Sequence, residues 1–494
     1  MNAGQNEQPT GTSPSARKLV LCVIDGLAPA VLERELEARR LPALRFLYER
    51  GTYVRAVSTF PSLTPVCLSA IATGSGPDIH GIPHLVWYHR GEERIIEYGS
   101  SFAAMRAAGV RGSIRDATIN MSSRHLSEDA ETAFETLEDA GLVTGAINYT
   151  CYRGRVRHDV RLPELVRRNR WYETVYGPRR FFFFNLFESD ATGAPFAVRS
   201  RTAGSVDRYA AAVGRWLVTR DGFDFLVYYL PDFDYAAHAV GPEEAVHALE
   251  RTDSCLGELM HAAGGWEQFL ERYAIVVCAD HAQTRVGELT QLERAFRDLA
   301  VLTPRRGRPE SSEVCVTASN RAAMVYRLPG ARLSARELAN RVEHLPAADV
   351  VLFLEDGVGV ARRDGEELRF APAERGGFRL SGDSDVLNPA RYPLGLERAF
   401  AALRCRNAGD VLISATEGYE FADLGGGGHP AGGSHGSLLA GDSLVPMLSV
   451  GLDDGLDPLT SIMDLKGVAL AHFGLGNGSL GREPSKPEVA ARAR

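Results

Sequence analysis

Leu230-Pro-Asp-Phe-Asp234-Tyr-Ala-Ala-His238-Ala-Val-Gly-Pro242 follows the apolar run Phe225-Leu-Val-Tyr-Tyr-Leu230, and Val277-Cys-Ala-Asp280-His281-Ala-Gln283 closes a second such run. Each sets a carboxylate and an imidazole where the chain leaves a buried strand. Asp234 and His238 stand at i and i+4, so a helical turn after the strand points both side chains the same way. Asp280 and His281 are adjacent, and neighbours on a strand diverge, so a shared role requires the strand to end before them, as the run from Ala274 to Ala279 predicts. Imidazole and carboxylate without thiolate are the ligands of a catalytic metal site more than of a structural one. Taken singly, an Asp-His pair is more often a surface turn. Two such pairs after two predicted buried strands point to a metal-binding hydrolase.

The rest of the chain repeats the strand signal. Lys18-Leu-Val-Leu-Cys-Val-Ile24, closed by Asp25-Gly26 and followed by a helical pattern from Pro29 to Arg40, reads as a buried parallel strand feeding a helix. Similar runs stand at Leu142 to Ile147, Asp410 to Ser414 and Met447 to Val450, with helical segments between several of them. The fold class is therefore α/β, with a largely parallel central sheet flanked by helices. Ligands of such sheets gather at the carboxyl ends of the strands, where Asp25, Asp234 and Asp280 all fall.

Two segments interrupt the alternation. Residues 151–205 carry Arg153, Arg155, Arg157, Arg167, Arg168, Arg170, Arg179 and Arg180 beside Phe181 to Phe184. This is either a cap over the site or a solvated insertion whose phenylalanines pack on the core. Residues 286–404 read as short strands and turns of a small β-rich lobe. Residues 1–17 form an expected disordered leader and 475–494 an expected disordered tail, leaving 18–474 as one catalytic domain.

At 494 residues, 45% hydrophobic and 24% charged, the chain has the composition of a globular protein with a sizeable core. A net charge of −8 argues against a general nucleic-acid-binding surface. The seven cysteines lack CxxC spacing and read as reduced thiols in buried strands. No run approaches the roughly twenty apolar residues of a membrane helix. The polar start, Met1 to Ser15, lacks the pattern of a secretory signal, which places the protein in the cytoplasm.

These residues resemble the alkaline phosphatase superfamily, in particular its type I phosphodiesterase/nucleotide pyrophosphatase-like branch. The Asp after the first strand matches Asp25, D-x-x-x-H-x-x-G-P matches Asp234 through Pro242, D-H matches Asp280-His281, and a late H-G matches His435-Gly436. Thr64-Pro-Val-Cys-Leu-Ser-Ala-Ile-Ala-Thr73-Gly74, with Pro77 and His80-Gly81-Ile82 behind it, looks like the nucleophile segment. The resemblance covers most of the chain from Lys18 to Gly474. Thr59, in Ser-Thr-Phe-Pro, competes with Thr64, but choosing it requires extra residues before Thr73-Gly74. His429 competes with His435, which has the Asp442 and Val445-Pro446-Met447 pattern downstream. Asp232 reads as a hydrogen-bonded acid at the strand end. One departure stands out: the branch usually places an asparagine that helps hold a phosphate oxygen where this chain has Leu85, with His84 beside it.

The resemblance implies two divalent metal ions, zinc before manganese or iron. Asp234, His238 and His435 would hold one; Asp25, Asp280, His281 and the Thr64 oxygen would hold the other. It further implies that Thr64, activated by coordination, attacks phosphorus and forms a phospho-threonine that water then hydrolyses. The implied activity is that of a phosphodiesterase or nucleotide pyrophosphatase acting on a small anionic phosphate ester. A phosphomonoesterase, which needs a further cation, and a phosphonate hydrolase of the same superfamily are the alternatives. A sulfatase fits less well, because Cys67 lacks the C-x-P-x-R context. A non-catalytic binding protein of the same fold is a different class, opposed by the complete set of three Asp, three His and one Thr.

Overall fold

The computed structural model describes residues 17–161, 172–183, 187–189, 205–452 and 461–476. Residues 1–16 of the expected leader, Arg167, Arg168, Arg170 and Phe184 of the expected cap, and the tail from 477 lie outside the described residues.

An eight-stranded sheet forms the centre, in the order Thr52–Val57, Leu444–Val450, Tyr273–Cys278, Lys18–Ile24, Phe225–Leu230, Thr144–Ile147, Arg180–Phe183 and Phe187–Ser189. The strands from Tyr273–Cys278 across to Arg180–Phe183 run parallel. Leu444–Val450, Thr52–Val57 and Phe187–Ser189 attach antiparallel at the two edges. Each central strand is apolar throughout because helices cover both faces. On Phe225–Leu230, the Phe225 ring packs 6.0 Å from Phe134 of helix Ala133–Asp139. Tyr228 has the opposite parity and turns to the other face. Its hydroxyl donates to the Cys255 carbonyl of helix Val246–His261 at 3.3 Å.

The register puts the strand ends level. Ile24 pairs with Leu230 and Val23 with Cys278, so Asp25, Pro231 and Ala279 leave the sheet side by side. This brings the two quoted segments and Asp25 to one end of the central sheet.

A second eight-stranded sheet runs Val301–Leu302, Val314–Ser319, Ala322–Arg327, Val411–Ala415, Ala348–Glu355, Val358–Arg363, Glu366–Pro372 and Phe378–Gly382. The run at Asp410 to Ser414, read from sequence as part of the parallel sheet, belongs here instead, antiparallel to both neighbours. It is as apolar as the central strands because this sheet too is covered: Val411 and Ile413 are buried with Leu338 and Val342 of helix Ala335–Val342. Part of the stretch expected as a cap is likewise sheet. Phe181 and Phe182 are fully buried on the strand beside Thr144–Ile147. Arg153 and Arg155 are occupied with Glu131, Glu135 and Asp139. No helix among the described residues is long and apolar enough to cross a membrane.

Candidate active site

At the level carboxyl ends, Asp25 follows the first strand directly, and Asp280 and His281 follow Cys278 after one residue. Asp234 and His238 lie one turn apart on helix Asp232–Val240, with His238 Nε2 3.4 Å from Asp234 Oδ2. Gly26 turns the chain at φ 73°, and a Cβ there would meet Asp234 Oδ1 at 2.8 Å, so glycine is required twice over. Thr64 opens helix Thr64–Thr73, its Oγ1 3.0 Å from His281 Nε2 and at the positive end of the helix dipole. His435 arrives on the segment before Leu444–Val450, and its ring stacks on that of His281 at 3.6 Å.

Ligand atoms of Asp25, Asp280 and His281 lie within 4.8 Å of one another, and so do those of Asp234, His281 and His435. His281 is common to both groupings. His238 adjoins the second through Asp234, with its ring centroid 5.1 Å from that of His435. All seven residues singled out from sequence thus meet in one place.

The three imidazoles share an orientation. Nδ1 of His238 faces Gly433 O at 2.8 Å, Nδ1 of His435 faces Ser62 O at 2.8 Å, and Nδ1 of His281 faces Ala282 O at 3.3 Å. A carbonyl only accepts, so Nδ1 holds the proton in each ring and Nε2 offers a lone pair inward. Burial keeps these rings neutral, pushing His281 down to about 3 and His435 well below the usual imidazole range. The carboxylates show the opposite strain. Burial, then the charges of Asp234 and Asp280, raise Asp25 well above the usual carboxylate range, and burial first of all pushes Asp280 up to about 7. Asp25 Oδ1 and Asp280 Oδ2 are buried without a hydrogen-bond partner. Orphaned carboxylate oxygens facing imidazole lone pairs are the donor set of a divalent cation, and the residues fit one.

Thr59 is buried, and its carbonyl accepts from Arg398. Asp232 accepts from Ser205 Oγ at 2.7 Å and from Val206 N at 3.0 Å, an anchor for the start of the preceding helix, Val206–Thr219. His84 is buried, its Nδ1 accepting from Val86 N at 3.0 Å. Leu85 packs half-buried against the core. His429, read as a loop residue, sets its ring centroid 4.1 Å from that of His238, tilted by 31°, and is held by Glu420 at 3.1 Å.

Sequence reasoning passed over several residues that touch the site. The Tyr229 hydroxyl donates to Asp25 Oδ2, and Gln283 Nε2 donates to Asp234 Oδ1. Gln283 stands two residues beyond His281, a position open to inspection once the strand end is fixed. Asn320 Nδ2 lies 2.9 Å from His435 Nε2. Arg321, fully buried, meets Asp442 at 2.6 Å, and its backbone N–H donates to His435 O at 2.7 Å. Asn320 and Arg321 form the two-residue turn between Val314–Ser319 and Ala322–Arg327, and nothing local marks that turn as functional.

With this geometry in place, the similarities to known proteins agree. Residues 19–438 match the family described as type I phosphodiesterase / nucleotide pyrophosphatase. The chain belongs to that family, within the alkaline phosphatase superfamily, and is a hydrolase acting on phosphoric ester or anhydride bonds. Phosphonoacetate hydrolase from Sinorhizobium meliloti 1021, in complex with phosphonoformate, superposes with a TM-score of 0.59 at 19% identity over 93% of this chain and 96% of that one. Murine ectonucleotide pyrophosphatase / phosphodiesterase 5, as an inactive threonine-to-alanine variant in complex with AMP, gives 0.58 at 14% identity with the same coverage of 93% and 96%. The human protein of that name gives 0.56 at 13% over 93% and 96%. No curated protein matches the chain in sequence.

Proposed function

We propose that the protein is a metal-dependent phosphodiesterase or nucleotide pyrophosphatase working through a phospho-threonine on Thr64. The observation that carries the reading is the approach of Thr64 Oγ1 to His281 Nε2, 3.0 Å, inside a ring of three buried carboxylates and three imidazoles. Asp25, Asp280 and His281 would hold one divalent ion beside Thr64, and Asp234, His238 and His435 a second. Such ions, zinc by ligand type, supply the positive charge that lowers the pKa of the threonine hydroxyl and offsets that of the phosphoryl group.

Thr64 Oγ attacks phosphorus, the ester or anhydride leaving group departs, and water then cleaves the phospho-threonine and restores the hydroxyl. The Nδ1 hydrogen bonds to Gly433, Ser62 and Ala282 fix the ligand rings before substrate arrives, so little reorganisation is needed during the reaction. The inactive threonine-to-alanine form of the murine neighbour supports a threonine nucleophile. Phosphonate hydrolysis is a second reading, supported by the Sinorhizobium neighbour in complex with phosphonoformate. The seven cysteines are free and buried, which fits a reducing cytoplasm.

The test is parallel hydrolysis of bis-p-nitrophenyl phosphate, p-nitrophenyl phosphate, a nucleotide p-nitrophenyl ester and phosphonoacetate, with added zinc or manganese and Thr64→Ala as control. A Thr64-dependent preference for the diesters is expected. Preference for the monoester or for phosphonoacetate would change the subclass, and turnover that survives Thr64→Ala would remove the phospho-threonine.

A further inference from the structure

Asn320 belongs to the second sheet yet reaches the site. It is the first residue of the two-residue turn joining Val314–Ser319 to Ala322–Arg327, held at φ 54°, a left-handed conformation that asparagine tolerates better than most residues. Its side chain is buried, and Nδ2 lies 2.9 Å from His435 Nε2. That nitrogen is the informative one. His435 Nδ1 already donates to Ser62 O, so Nε2 carries the lone pair and accepts from the Asn320 amide. A residue that merely oriented His435 would bind Nδ1, the side facing away from the ligand pocket. Asn320 approaches the ligand face.

The turn is fastened there. Arg321 N–H donates to His435 O at 2.7 Å, Phe421 N–H donates to Asn320 O at 2.7 Å, and Ala415 N–H donates to Arg321 O at 3.0 Å. The Arg321 guanidinium meets Asp442 at 2.6 Å with both side chains fully buried. The amide therefore keeps its place when the Nε2 lone pair goes to a cation, and its N–H then needs another acceptor in the same pocket. No amide comes from position 85, where Leu85 packs against the core.

We infer that Asn320 is a substrate-binding residue whose amide donates to an oxygen of the phosphoryl or phosphonyl group. This rests on the metal-dependent reading proposed above. The second sheet then contributes directly to substrate recognition, with a donor fixed before binding.

The test compares Asn320→Gly, which preserves the left-handed turn, and the near-isosteric Asn320→Asp with the parent, all in a Thr64→Ala background. Zinc content is measured by mass spectrometry and binding of inorganic phosphate by calorimetry. Unchanged zinc with roughly tenfold to hundredfold weaker phosphate binding in Asn320→Gly is expected, the loss of one hydrogen bond to a charged acceptor. Asn320→Asp, which swaps donor for acceptor, is expected to bind phosphate no better than the glycine variant. Unchanged phosphate affinity with zinc retained overturns the inference and leaves Asn320 a turn residue. Zinc lost in proportion to phosphate also overturns it, because the residue then supports the metal site. If the zinc-loaded parent binds no phosphate, and the wild type shows no Thr64-dependent turnover, the proposed function falls and takes the inference with it.

Discussion

Removing the Thr64 hydroxyl takes away one oxygen at the mouth of the site and leaves every carboxylate and imidazole in place. Thr64→Ala is therefore expected to keep the fold and bound zinc while turnover falls by at least about a thousandfold, as for other enzymes stripped of a covalent nucleophile. Asp280→Asn is the contrasting change. It replaces a buried carboxylate oxygen that faces His281 Nε2 at 3.5 Å, so zinc is expected to be lost together with activity. Metal analysis beside turnover separates the two, and a fully zinc-loaded Asp280→Asn protein would sink the ligand assignment. His84 shows a different residue-scale effect, on stability. Burial depresses its imidazole to about 4 from an ordinary 6.5. As pH falls, the unfolded chain takes up the proton first, so stability present above about 6.5 drains away toward about 4. Between about pH 7.5 and about pH 5 the wild type is expected to lose on the order of 2 kcal/mol that His84→Asn does not lose. Urea denaturation of both proteins at the two pH values checks this, and parallel curves would refute it.

At the scale of elements, the hairpin tip Asn320-Arg321 ties the second sheet to His435 and Asp442 beside the first. Arg321→Ala would leave Asp442 buried without its cation, a change expected to cost roughly 3–5 kcal/mol. It would also loosen Asp442, whose carboxylate accepts from Ser437 N–H two residues beyond His435, so zinc occupancy is expected to fall with the denaturation midpoint. A midpoint equal to that of the wild type would show that Asp442 is satisfied by Ser437 N–H and Thr284 alone. The same hairpin marks where sequence reading stopped. Lys18–Ile24 and Phe225–Leu230 were legible because a strand covered on both faces must be apolar throughout, and Asp25, Asp234, His238, Asp280 and His281 were legible because they stand at the ends of such runs. Val411–Ala415 is equally apolar but pairs in the other sheet, since covered strands of either sheet need the same composition and the choice of partner is a long-range matter. Asn320 and Arg321 left no trace at all: their nearness to His435 follows from strand pairing over about a hundred residues. His429 was visible, but its contact with His238 depends on how the run Gly425 to Gly428 folds back.

Across the whole molecule, crowding three carboxylates behind the strand ends works against the folded state unless cations arrive. Binding that favours the folded chain raises its stability by about 1.4 kcal/mol for each tenfold excess of free ion over its dissociation constant. Chelation is expected to lower the melting midpoint, zinc to restore it, and the midpoint to climb with zinc concentration in calorimetric scans. A midpoint indifferent to zinc would count against a metal centre at these residues. The order in which the chain leaves the ribosome adds a constraint of its own. The second sheet is drawn from residues between the strands Tyr273–Cys278 and Leu444–Val450 of the first, and His435 comes after all of it. A nascent chain that has already delivered Asp25, Thr64, Asp234, Asp280 and His281 still lacks the last imidazole and the hairpin that seats it. Synthesis must therefore run past His435 before both groupings of carboxylate and imidazole are whole, and a chain broken off earlier carries only the one built from Asp25, Asp280 and His281.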